Sequence, residues 1–206
     1  AIVENSNTVD VPATGIVPTG VHTKSGSEFR EKAGEIQLDD KDSIKLANKL
    51  LDAEGYEDRS LLPVLKIGAN EDNLAIANAI KNDLKNNLDI ECEITTVLAS
   101  GSTELDIIVA GHDLEADTID VYDFFEQIIM PSWFTMTANN GYINTIEAKE
   151  GKSITPELIE LEKSMLEEYK IIPLTFNNDN ILYRSNIKNI DTIGAGYLYF
   201  LNIQYK

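Results

Sequence analysis

From Glu71 to Leu88 apolar side chains return at Leu74, Ala77, Ile80, Leu84 and Leu88, a spacing that lays one stripe along a helix. Runs of strand character stand on either side of it. Residues 61–67 carry Pro63 at an edge and close at Gly68, and residues 90–98 place inward groups such as Ile94. A third short apolar run, 105–110, ends at Gly111 and suits a strand buried on both faces of a parallel or mixed sheet. Ahead of these, Asp42 or Ser43 caps a helix whose Ile44, Ala47, Leu50 and Leu51 fall at helical spacing, and Gly55 ends it. Helix, strand, helix, strand, strand is the order of an α/β fold, a layered sheet with helices on both faces.

The flanking sequence is less regular. Residues 1–40 hold Pro12, Gly15, Pro18, Gly20, Gly26 and Gly34, and predict an irregular segment with one short helix over 28–32. After Gly111 an acidic stretch leads into a helical run to Met130, stopped by Pro131. Ser153 or Thr155 caps a further helix, with Pro156 in its first turn and Leu158, Leu161, Met165 and Tyr169 on its stripe. Residues 171–176 and 181–183 read as a hairpin, and 197–205 as a final strand.

Charge narrows the range of partners. Thirty-five acids against seventeen bases give a formal net charge of -18, and the bases are scattered rather than clustered. Such a surface repels phosphate backbones and anionic membranes, so no nucleic acid is expected as a partner. Cys92 is the only cysteine, so no intrachain disulfide forms. Its neighbours Glu91 and Glu93 disfavour a thiolate, the opposite of an activated nucleophile. No apolar run approaches the roughly 20 residues that span a bilayer. The chain opens in what reads as mid-domain sequence, without an initiator Met, a basic leader or an apolar signal core, so an excised piece is expected.

The candidate site is the acidic segment after Gly111. His112, Asp113, Glu115 and Asp117 follow the carboxyl end of a strand, where open α/β sheets place their ligands. Carboxylates there can hold a cation, work as acid and base, or receive an amine; the plain alternative is a solvated acidic loop. Asp113, Glu115 and Asp117 match the first alternating positions of a calcium loop, but Thr118 stands where the loop needs Gly and Phe124 where it needs Glu. His22 and His112 are the only histidines and have no partners at zinc spacing, so no metal and no cofactor is expected. There is no nucleophile elbow and no phosphate loop, and Ser100, Gly101 and Ser102 read as a turn. The chain is expected not to be an enzyme. Phe124, Phe125, Trp133 and Phe134 are either core or the lining of an apolar pocket, and Trp133 and Phe134, in irregular sequence after Pro131, are the pocket pair.

Several blocks together resemble the oligopeptide- and dipeptide-binding proteins of ABC importers, the family 5 extracellular solute-binding proteins. PATGIVPTGV (12–21) is similar to that family's Ala-Thr-x-x-x-Pro-x-Gly segment, and LANKLLDAEGYED (46–58) to its helix ending in Gly-Tyr. The run 65–98 resembles its strand, long helix and strand; ELDIIVAGHD (104–113) resembles the strand that ends in Gly-Trp, and IIPLTFNND (171–179) its Pro-Leu hairpin. The order holds across nearly the whole chain, while no one block is specific by itself.

The resemblance implies a type II periplasmic-binding-protein-like fold, with residues 1–190 as the ligand-binding lobe of a two-lobed protein and 191–206 as a C-terminal return strand. It implies closure on the ligand by a hinge. An acid just past the Gly-Trp strand would pair with a peptide's α-amino group; here His112 stands in place of the Trp. Asp113, Glu115 and Asp117 are the candidates, Glu115 by direct count and Asp117 if the loop carries an insertion. Asn139 and Asn140, with Gly141 and Tyr142, resemble the family's loop near the cleft. The implied partners are a peptide and the ABC permease subunits, reached by the complete protein. The implied place is outside the cytoplasm, in a periplasm or at the cell surface, with membrane contact only through a lipid anchor outside this chain. A peptide-pheromone or nutrient sensor of the same fold, a binder of nickel or haem, and a surface protein that has lost its ligand are the competing readings.

Overall fold

The computed structural model describes residues 11–36, 42–96, 105–113, 120–129, 155–177, 184–189, 191–193, 197–199 and 204–205. In chain order the helices are α1 (Phe29–Ala33), α2 (Ser43–Ala53), α3 (Leu74–Leu88), α4 (Val121–Ile129) and α5 (Thr155–Glu167). The strands are β1 (Val11–Pro12), β2 (Leu65–Ala69), β3 (Cys92–Thr96), β4 (Ile107–Val109), β5 (Thr175–Phe176), β6 (Ile187–Lys188), β7 (Asp191–Ile193), β8 (Tyr197–Tyr199) and β9 (Gln204–Tyr205). They belong to two compact units: residues 1–10 with 37–111, and residues 11–36 with 112–206. No helix among the described residues is long and apolar enough to cross a membrane.

The first unit is the layered sheet. β2 lies between β3 and β4 and is parallel to both, in register from Leu65 opposite Cys92 to Ala69 opposite Thr96, and from Ile67 opposite Ile107 to Ala69 opposite Val109. Ile67, Ala69, Ala77, Ile90, Cys92 and Val109 form its core, and Leu51, Leu74, Ile80 and Leu84 pack against it. The stripe read from the sequence is thus the face α3 turns to the sheet. α3 ends without a glycine: Asp89 takes the left-handed conformation at φ 56°, and Ile90 N–H closes the helix onto Leu84 O at 3.2 Å.

Two strand expectations are corrected. The central strand starts at Leu65 and not at Leu61, because Arg59–Leu61 folds as a 3-10 turn. Asp58 caps that turn, accepting from the Ser60 hydroxyl at 2.6 Å and its N–H at 3.0 Å, and these bonds hold its carboxyl below its usual range. β4 is not buried on both faces. Ile108 is 39% exposed, and Asp106, inside the supposedly apolar run, accepts the Lys66 N–H at 2.8 Å. Among the described strands β4 pairs only with β2, so it is an edge.

The second unit is organised by a buried ion pair that the apolar pattern does not reveal. Glu162 on α5 is 1% exposed and Arg30 on α1 is 5% exposed. Arg30 Nη2 donates to both Glu162 oxygens at 2.6 Å. Glu162 Oε1 also accepts the N–H groups of Ile16 at 2.8 Å and Val17 at 3.0 Å. Arg30 Nη1 donates to Gly34 O at 2.8 Å and to Thr14 O at 3.2 Å. One charge pair therefore ties the 14–17 segment, α1 and α5 together. Gly15 is needed beside it, since a Cβ there would lie 2.7 Å from Arg30 Cζ. Around the pair, Val17, Phe29, Val121, Phe124, Phe125, Leu158, Leu161 and Met165 form the core.

Tyr169 leaves the α5 stripe: it lies past the helix at φ 54° and is 81% exposed, because the helix closes there with Lys170 N–H on Met165 O at 3.0 Å. The described partner of β5 is β1, antiparallel, with Val11 opposite Phe176. Residues 178–183, the other arm of the expected hairpin, lie outside the described residues. The expected final strand is described as two pieces, β8 antiparallel to β7 and β9 antiparallel to β6.

Removing the guanidinium leaves a carboxylate uncompensated in the core, so Arg30→Met should lower the unfolding free energy by about 3–5 kcal/mol, read from urea melts. Gly15→Ala should cost roughly 1–3 kcal/mol by overpacking. That second cost should shrink in the Arg30→Met background, because the atoms the new Cβ meets are gone. Additive costs would mean that Gly15 is required for another reason.

Candidate functional site

In the first unit β4 ends at buried Val109 and is followed by Ala110 and Gly111, both exposed. Its neighbour β2 ends at buried Ala69, and the exposed residues Asn70, Glu71 and Asp72 come next. Both strands run the same way, so these residues share the carboxyl edge of the sheet. Nothing in the residue pattern marks Asn70, Glu71 and Asp72 beyond a helix start. They do serve as one: Asn70 Oδ1 accepts Asn73 N–H at 3.1 Å, and the two acids lie in the first turn. Only the parallel pairing of β2 with β4 brings them to the same edge as Ala110 and Gly111.

In the second unit, His112 and Asp113 are both exposed. The His112 ring stands edge-on to Phe124, with centroids 6.4 Å apart and planes at 87°. Phe124 in turn meets Phe125, and Phe125 meets Phe29, in edge-to-face contacts of 5.7 and 6.2 Å. Phe124 and Phe125 are core residues, as the plainer of their two readings has it. The exposed His112 ring thereby rests against an apolar side chain. α4 begins directly after the acidic segment. Asp120 Oδ1 accepts the Tyr122 N–H at 2.7 Å, Asp123 Oδ2 accepts the Asp120 N–H at 3.1 Å, and Val121 N–H is fixed to His22 O at 2.8 Å.

The remaining candidates, Glu115, Asp117, Trp133, Phe134, Asn139 and Asn140, lie outside the described residues. Among the described residues no group of three His, Cys, Asp or Glu side chains could hold a metal ion. Cys92 is buried at the start of β3, and burial, aided by the Glu91 charge and opposed by Lys81, pushes its thiol up. Taken by itself, the carboxyl edge of the sheet in the first unit is exposed and acidic at Glu71 and Asp72, groups that can accept hydrogen bonds from a cation.

No family model and no curated protein matches the sequence. Solved structures do match. Listeria monocytogenes OppA bound to peptide superposes on 99% of this chain and 42% of its own, with a TM-score of 0.62 at 17% identity. A periplasmic oligopeptide-binding protein from Borrelia burgdorferi covers 100% of this chain and 42% of its own, with a TM-score of 0.62 at 18% identity. The chain shares the fold of these ABC-importer solute-binding proteins. NikA from Staphylococcus aureus in complex with Ni(L-His)2 also matches, over 84% of this chain and 40% of its own, with a TM-score of 0.56 at 17% identity. The chain thus spans about two fifths of the length of the solute-binding proteins it matches. At these identities the likeness is one of type II periplasmic-binding-protein fold, mixed sheet and helix, as the sequence pattern implied.

Two outcomes follow for the side chains described. His112→Ala should cost no more than about 1.5 kcal/mol in unfolding free energy, the scale of one edge-to-face ring contact on an exposed residue. A larger loss would make the imidazole a structural member of the core. Cys92 in the folded protein should react with a thiol reagent at pH 8 far more slowly than in urea, because burial and a raised thiol both suppress the thiolate. Equal rates would show that the start of β3 opens freely.

Proposed function

We propose that this chain is the ligand-embracing part of an extracytoplasmic solute-binding protein that captures peptides for an ABC importer, and that it catalyses no reaction. The observation that carries the reading is the fold likeness to a peptide-bound OppA over 99% of the chain, joined to an acidic segment that follows, in sequence, a strand of a parallel sheet. On this reading residues 1–190 supply the ligand-binding lobe and 191–206 its return strand. An acid of the 113–117 segment, Glu115 by direct count or Asp117, receives the peptide's α-amino group by a charge-assisted hydrogen bond in a desolvated cleft. Main-chain groups hold the peptide backbone, which gives register without reading side chains. His112, Trp133, Phe134, Asn139 and Asn140 border the ligand. Capture takes place in a periplasm or at the cell surface, and the complete two-lobed protein then meets its permease. Oligopeptide-binding proteins recur among the matched structures, which supports a peptide over nickel as the ligand.

Native mass spectrometry of the longest natural form of the protein, purified without denaturation, tests the reading. A ladder of peptide masses released on unfolding is the expected result, and Glu115→Gln or Asp117→Asn should weaken binding by about 2–5 kcal/mol, the cost of leaving a desolvated charge unpaired. A ligand-free mass, unchanged by added tri- to pentapeptides, would overturn it. The chain of 206 residues alone should show no submicromolar binding of the same peptides by calorimetry, because one lobe cannot desolvate the ligand's charges. Tight binding by that chain would place the whole site within it.

A further inference from the structure

We draw no further inference here: the strongest candidate, the exposed apolar ridge of Leu46 and Leu50 on helix α2, carries nothing because no feature of the structure shows what covers it.

Discussion

The second unit depends on the Arg30–Glu162 pair. Removing two charges from water is costly, and the mutual attraction repays it only when the remaining hydrogen-bonding capacity is also used. Here most of it is used by the backbone, with Arg30 Nε alone of the pair's buried atoms left without a partner: Glu162 accepts the Ile16 and Val17 N–H groups, and Arg30 donates to the Thr14 and Gly34 carbonyls. The Ile16 and Val17 groups belong to an irregular segment with no ladder of its own. Without Glu162 these two N–H groups would be buried and unsatisfied, which costs about 1–3 kcal/mol for each. The pair thus gives a loop-like segment the fixed geometry that a strand gets from its neighbours. The Gly15 backbone must then pass close to the guanidinium, and the absence of a side chain there follows from that approach.

The first unit solves the same accounting problem by regular means. Its three parallel strands pair through β2, and α3 covers the buried groups with a single stripe. The loop after β2 and the segment after β4 fall on one edge because parallel strands end on the same side. Where the chain enters the second unit, the contact of His112 with Phe124 and the Asp120 cap on α4 fix the two ends of the acidic segment to the core.

Local periodicity carried much of this in readable form. The α3 stripe, the α2 stop at Gly55, the short helix near residue 30 and the burial of Leu158, Leu161 and Met165 all follow from spacing that neighbouring residues enforce on one another. The errors share a physical cause. Leu61 looked like strand because it is apolar, yet a side-chain cap from Asp58 outweighed that preference. Tyr169 sat at the right spacing for the α5 stripe, yet the helix had already closed. Asp106 interrupts an otherwise apolar run, and its carboxylate bonds across to Lys66 on the neighbouring strand. Of the candidate segment, the sequence shows that His112 and Asp113 follow a strand, while the place of Glu71 and Asp72 at the carboxyl edge of the sheet rests on the pairing of β2 with a strand far along the chain.

By itself the sequence determined the fold class, the absence of any disulfide within the chain, and its strongly acidic character. These depend on composition and on contacts a few residues apart. Only the tertiary structure decided that Glu162, which carries a charge on a helix of otherwise ordinary pattern, would be buried with an arginine 132 positions away. It alone also decided how the strands of the sheet pair and that β4, among the described strands, is an edge. The reason is that a charge reads as surface until a specific partner at long range removes the cost of burying it, and no local rule names that partner.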